Sequence, residues 1–239
     1  MTDIALDNLP GFRRRIRITP TPGQVICAVE DDIHCMAVTL HHDGATAIKV
    51  EADMRRVPWT TCPGAQQQLT ETFTGVALKD FPTRGGKKAN CTHLYDLAQL
   101  AASHAGDESV SVYDILVSDR TADGKNIAEL RLDKQRILGF VEDNFAFAEP
   151  PELAGMSMLG NMEPWLSAQS PQLQEADRLL RWGMLIAHGR SIPLAQQSDA
   201  TSMPPNCFTF QPERAVVAVR VGKIKDFSGG QSQPLEDAE

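Results

Sequence analysis

Two cysteines in this chain stand where a polypeptide most readily stabilises an anion. Cys62 lies in PWTTCPGA (58–65) and Cys91 in NCTHLYDL (90–97), each followed by residues that read as the first turn of a helix. Unpaired amide N–H groups and the positive end of the helix dipole meet at such a turn. A thiol placed there should be more acidic, and so a better nucleophile or metal ligand. His34 reaches the same level from a neighbouring hairpin, which makes Cys62, Cys91 and His34 the candidate catalytic set. In it a cysteine serves as acid/base or nucleophile and His34 as proton shuttle. The same three with His93 and Asp32 make a candidate metal set, with zinc or iron as the cofactor. His93 stands two residues after Cys91, about 200° around an ideal helix, so it joins only if the first turn is distorted. Asp31 and Asp96 are carboxylates within reach, although Asp96 also fits the ordinary role of a negative charge near a helix N-terminus.

The elements that must position these groups can be read from periodicity. Residues 13–18 and 24–30 are candidate strands separated by TPTPG. IHCMAVTLHH and TAIKVEADM follow, joined by Asp43-Gly44-Ala45 as a three-residue hairpin loop. That loop pairs Leu40 with Ile48, Val38 with Val50, Met36 with Ala52 and His34 with Met54, with apolar side chains on one face. A helix is expected over 62–74, with Pro63 at its first position and Gly75 as the left-handed residue after its end. A second helix, led by Cys91, carries Leu94, Ala98 and Ala101 at helical spacing and closes at Gly106. Strands are expected at 110–118, 126–132 and 136–142, an amphipathic helix at 171–188, and a last strand within 206–221. The fold class is α+β: an antiparallel sheet with helices packed on one side, extended by further strands and a long helix. Residues 1–228 are read as a single domain with a core at 10–106 and an extension at 107–228, and 229–239 as a disordered tail.

Each candidate also has a structural reading. Buried free cysteine commonly packs as a small hydrophobe, and a histidine on an apolar face is commonly a satisfied core residue. Cys27 and Cys35 sit in strand patterns and should pack, while Cys207 lies in a loop. His41 and His42 flank the hairpin turn and should be solvated. His188 follows the long helix and can bond to its last carbonyls. The Met-rich run 154–162 reads as gap-filling or a pocket wall. Arg13, Arg14, Arg15 and Arg17, with Arg55 and Arg56, read as solvated strand edges or an anion-binding rim.

Composition narrows the classes further. With 239 residues the chain can bury a core without covalent staples. Its net charge of −8 argues against a general nucleic-acid binder, which needs a basic surface. Five cysteines without a Cys-x-x-Cys pair argue for reduced thiols and a cytoplasmic location. No apolar run approaches the roughly 18 residues needed to span a bilayer, so no membrane partner is expected. Oligomeric state is not readable.

Several motifs carry a resemblance. EDDIHCMAVTLHHDG, RRVPWTTCPGA, CTHLYDLAQLA and CFTFQPERA followed by DFS resemble the bacterial family catalogued as domain of unknown function 2889, over roughly residues 10–228. The resemblance implies a coherent fold and no assigned activity. Residues 30–105 are also similar to iron–sulfur assembly scaffolds of the NifU/SufE fold, in the order hairpin, cysteine-led helix, cysteine-led helix. That similarity implies cluster or zinc binding, with Cys62 and Cys91 matching the helix-start cysteines. Asp32 stands where the scaffolds carry a first cysteine, which leaves two thiolates rather than three and disfavours a cluster more than an ion. Three classes of function therefore stand open: a small-molecule enzyme with lyase, isomerase or decarboxylase chemistry on an organic acid, a zinc or iron–sulfur binding protein, and a non-catalytic interaction protein.

Overall fold

The computed structural model describes residues 6–191, 198–221 and 224–236. Its strands are β1 (Gly11–Thr21), β2 (Gln24–Glu30), β3 (Cys35–His42) and β4 (Ala47–Arg56), followed by helices α1 (Ala65–Phe73) and α2 (Thr92–Ser103). Then come β5 (Ser111–Ser118), β6 (Asn126–Leu132), β7 (Gln135–Asp143), β8 (Ala146–Glu149), the short α3 (Glu163–Leu166), the long α4 (Pro171–Ala187) and the short α5 (Pro212–Ala215). The class is α+β. The chain divides into two compact units: residues 16–111 with the described part of 193–225, and residues 112–191 with the described parts of the two terminal segments. Among the described residues, no helix is long and apolar enough to cross a membrane.

The first unit is built on strands in the order β4-β3-β2-β1. Alternation explains its core. Val25, Cys27 and Val29 on β2, and Met36, Val38 and Leu40 on β3, are buried on one face, as a period of two requires. Helix α1 packs on β4, and α2 lies across β2 and β3. Leu69 and Phe73 of α1 and Leu94, Leu97 and Leu100 of α2 have no measurable exposure. The Phe73 ring stacks on Phe81 at 4.5 Å and meets Tyr95 at 5.0 Å, which locks the two helices through aromatic contacts.

The β3–β4 register differs from expectation by two residues. Leu40 faces Val50, Val38 faces Ala52 and Met36 faces Met54. The loop is one residue longer, Asp43–Thr46, and Asp43 Oδ1 accepts from the amides of Ala45 and Thr46. A bulge between His41 and His42 absorbs the difference. A slip of two leaves every side chain on the same face, so hydrophobic alternation cannot detect it. Ile48 is left outward and 60% exposed, while His42 is buried rather than solvated.

Helix α1 also starts later than expected. Cys62–Gly64 forms a single 3₁₀ turn and the α-helix begins at Ala65. Gly75 is left-handed at φ 80°, as predicted for the residue after the helix. The strand expected within 206–221 is absent; that stretch holds bends and α5. Pro212, which opens α5, and the Asn-Cys-Phe run favour turns over a ladder there, and only an isolated bridge from Arg220 to Trp59 forms.

The second unit has the order β1-β5-β6-β7-β8. Its hairpin turns at Asp133-Lys134 and Asn144-Phe145 have positive φ at both residues, the geometry two-residue hairpins need. Strand β8 was not anticipated, because its four residues are too few to show a period. Of the segment 229–239, residues 229–236 are described as turns with Leu235 buried, and 237–239 lie outside the described residues. Met158 and Met162 from the Met-rich run fill the core.

The arginine run at the start of β1 is not a solvated edge. Arg13 is 4% and Arg14 1% exposed, with the Arg14 guanidinium 4.6 Å from the Trp182 ring. The cation–π contact lets an arginine sit among aromatic carbon. Helix α4 packs on β6 and β7, and Gly183 brings it close to β5: a Cβ there would lie 2.6 Å from Ile115 Cγ2. Gly183→Ala should therefore destabilise, because overpacking against a stiff β-branched side chain costs about 1–3 kcal/mol while helix propensity returns only about 1 kcal/mol. Urea denaturation of the variant checks this; a rise in midpoint would mean that the contact relaxes freely.

Candidate functional site

The turn from β2 to β3 is built around one carboxylate. Asp31 Oδ1 accepts from the amides of Ile33 and His34, both at 2.8 Å, and the Asp31 amide donates to the His34 carbonyl at 2.9 Å. The local sequence Asp-Asp-Ile-His supports this side-chain-closed turn, since aspartate readily bonds the backbone two and three residues on. Arg56, at the end of β4, ties the turn from outside. It pairs with Glu30 at 3.0 Å and donates to the carbonyls of Asp31 and His34.

Closing the turn brings the His34 ring onto Asp31. Nδ1 lies 3.1 Å from one carboxylate oxygen and 3.2 Å from the other. His34 then stacks on His93, with ring centroids 4.0 Å apart and planes 29° from parallel. Ligand atoms of Asp31, His34 and His93 all lie within 4.8 Å of one another, and all three residues are buried. Among the described residues this is the one group of three or more His, Cys, Asp and Glu side chains so disposed.

His93 enters from the first turn of α2, whose start is held by two contacts. Asn90 donates to Thr72 Oγ1 of α1 and to the Gly86 carbonyl, both at 3.0 Å. Lys87 grips Asp96 with both carboxylate oxygens at 2.6–2.7 Å. No distortion of the turn is needed, because His93 joins His34 and not Cys91. The angle of about 200° that separates it from Cys91 is what lets the two side chains serve different neighbourhoods.

The thiols gather elsewhere. Cys62 Sγ lies 3.4 Å from Thr209 Oγ1, and Thr61 Oγ1 donates to the same hydroxyl at 3.1 Å. The Phe208 amide donates to the Asn90 carbonyl at 2.8 Å, and Gln211 Nε2 to Lys88 at 2.9 Å. The segment 207–211 is thus docked on both cysteine-bearing turns. It carries a third thiol, Cys207, near enough to raise the pKa of both Cys62 and Cys91.

Burial outweighs the helix start. Protein packed around the sulfur pushes the Cys91 thiol up to about 12, although the amides of Leu94 and His93 pull it down as a helix N-terminus should. Burial likewise raises Cys62, against a bond from Thr209 and the Arg220 charge. Cys207 is raised for the same reason. The expectation of acidic, activated thiols is therefore corrected in sign.

Residues 11–106 match the family described as "Protein of unknown function (DUF2889)". The match runs from the start of β1 to just beyond α2 and contains the whole Asp31–His34–His93 group with Cys62 and Cys91. No curated protein matches the chain.

Of the residues singled out from sequence, His34 and His93 come together, and Asp31 rather than Asp32 supplies the carboxylate. Asp32 is buried, and its carbonyl accepts from Lys225. Neither Cys62 nor Cys91 joins the histidine group. Cys27 is fully buried and Cys35 partly so. His41 pairs with Glu51 at 3.0 Å and His188 with Glu142 at 3.3 Å. Cys207 could have been placed only through the motif CFTFQPERA, since it lies more than a hundred residues from its partners.

The raised Cys62 pKa has a stability consequence. Above the ordinary thiol value of about 8.5 the unfolded chain gives up this proton while the folded chain keeps it, so stability falls as pH rises. The urea midpoint should be lower at about pH 10 than at about pH 7.5, and Cys62→Ala should lessen the drop. Iodoacetamide at about pH 6.5 should leave Cys62, Cys91 and Cys207 unmodified until the chain is unfolded; rapid native labelling would restore the activated-thiolate reading.

Proposed function

We propose that the protein binds a single divalent transition-metal ion through Asp31, His34 and His93. The observation that carries this reading is the convergence of two imidazoles and a carboxylate, from a turn and a helix, within 4.8 Å in a buried position. Two histidines and one carboxylate suit zinc with an open fourth position, and equally ferrous iron. A carboxylate and two imidazoles are donor types that such ions take up together.

The donor set favours a mononuclear ion over an iron–sulfur cluster. The sulfurs stand together around Cys207 and not beside the histidines, and burial keeps them protonated. That arrangement weakens the likeness to cluster scaffolds and also the case for a cysteine nucleophile. If the protein is an enzyme acting on an organic acid, the metal's open position, rather than a thiolate, is the place for chemistry. The family relation is proposed to extend beyond residue 106 into CFTFQPERA, because that segment packs on the cysteine turns of the matched region. Five free thiols suit a reducing cytoplasm.

Elemental analysis of full-length protein purified anaerobically tests the reading. About one zinc or iron per chain is expected, and addition of the ion to stripped protein should raise the melting temperature. His93→Gln and His34→Gln should each weaken zinc binding by at least about tenfold in calorimetry. Absence of uptake by folded, stripped protein at micromolar zinc or ferrous iron would overturn the proposal and leave the group as a packed polar network.

A further inference from the structure

The densest run of exposed aliphatic side chains among the described residues follows α5. Val216, Val217, Val219 and Val221 are 70, 65, 62 and 40% exposed, although valine is ordinarily a buried residue. Two of them belong to an extended ribbon in the first unit that borders Trp59. The Thr60 amide donates to the Val219 carbonyl at 3.0 Å, and the Val221 amide to the Pro58 carbonyl at 2.8 Å. The Val219 amide donates to Thr60 Oγ1 at 3.0 Å. These bonds frame an antiparallel bridge between Trp59 and Arg220. Successive residues of such a ladder turn their N–H and C=O groups to opposite sides. The main-chain groups of Arg220 therefore face away from residues 58–60, and among the described residues neither has a hydrogen-bond partner.

The Arg220 side chain adds a charge to this open edge. Its guanidinium lies 5.3 Å from the centroid of the Trp59 ring. That cation–π contact occupies one face and supplies no oxygen to the N–H groups. The buried Nε has no hydrogen-bond partner, and among the described residues no carboxylate pairs with Arg220. Other cations nearby do have acidic neighbours. Arg214 pairs with Glu213 at 2.8 Å and lies 3.9 Å from the Phe208 ring, and Lys225 stands 3.9 Å from Glu30. Unpaired main chain, a guanidinium without a carboxylate and two exposed valines beside it thus occur at one place. Edges of this kind are ordinarily blunted or covered.

We propose that this edge docks an extended peptide of a partner protein in which an aspartate or glutamate stands between two apolar residues. The added strand exchanges two main-chain bonds with Arg220. Its carboxylate then lies beside the guanidinium, where a charge-assisted bond is stronger than a neutral one. The residues on either side of the acid stand opposite Val219 and Val221 and cover them. The net charge of −8 favours one carboxylate in an apolar setting over a run of acids. A second copy of the chain fits worse, because two-fold pairing centred on Arg220 sets two arginines directly opposite each other.

Calorimetric titration of the full chain with short capped peptides tests this. One carries Val-Glu-Val at its centre, one Val-Lys-Val, and one Val-Glu-Val with the glutamate amide N-methylated. The Val-Glu-Val peptide should bind saturably with a dissociation constant of about 100 µM or below, and the other two at least about tenfold more weakly. Arg220→Gln should weaken it about tenfold and abolish its advantage over Val-Lys-Val, an effect that loss of packing alone would not produce. Val219→Thr, which keeps the branched shape at an exposed position, should weaken it about threefold. If Arg220→Gln fails to fold, as a thermal melt will show, Val219→Thr and the two control peptides decide. No saturation by about 2 mM peptide, equal binding of the glutamate and lysine peptides, or indifference to N-methylation would overturn the proposal. Concentration-dependent dimerisation that Val219→Lys abolishes would overturn it too, since a second copy then holds the edge.

Discussion

The candidate site depends on satisfying one carboxylate out of water. Asp31 has no measurable exposure. A buried charge is tolerated only when opposite charge and hydrogen bonds replace its hydration. Two amides of its own turn and the His34 ring do so here. The same bonds set the turn's conformation, aim the histidine and fix where β3 begins. Arg56 adds positive charge at the turn's carbonyls and binds the end of β4 to it. A single aspartate therefore organises local backbone, side-chain orientation and electrostatics together. A cation held by Asp31, His34 and His93 would extend the same logic, replacing part of the lost hydration with a stronger charge.

The thiols show the opposite balance. A helix start offers partial positive charge, and the amides of His93 and Leu94 do favour the Cys91 thiolate. The stabilisation falls off within one turn. Desolvation acts on the whole ionised sulfur and is the larger effect here. The cysteines thus behave chiefly as neutral, polarisable groups, Cys62 buried and Cys91 and Cys207 partly so. The proposed chemistry of the first unit accordingly rests on imidazole and carboxylate rather than on sulfur.

Much of the architecture was legible from periodicity. Strands β1 to β7, α2, the long α4 and the left-handed Gly75 stand close to where alternation, helical spacing and end signals put them. Errors fell where the signal is degenerate. The β3–β4 register slipped by two because both registers bury the same face. The arginines of β1 read as solvated, whereas the distant Trp182 ring covers Arg14 and the carbonyls of Asp7 and Leu9, just upstream, bind a buried Arg13. His93 enters the candidate metal set only on condition of a distorted turn; the angle is right, and the error lies in assuming that it has to meet Cys91.

The sequence by itself determined the strand and helix periods, the aspartate-closed turn and the identity of the chemically capable residues, because each follows from contacts within a few positions. Which of those residues meet was decided only by tertiary structure. Asp31 and His34 reach His93 across some sixty positions of chain, and Cys62 reaches Thr209 across 147. Pairings at that separation depend on how whole elements dock and on how much water they exclude. The same docking set the sign of the thiol shifts: position along a helix is local, but desolvation is a property of everything packed around the sulfur.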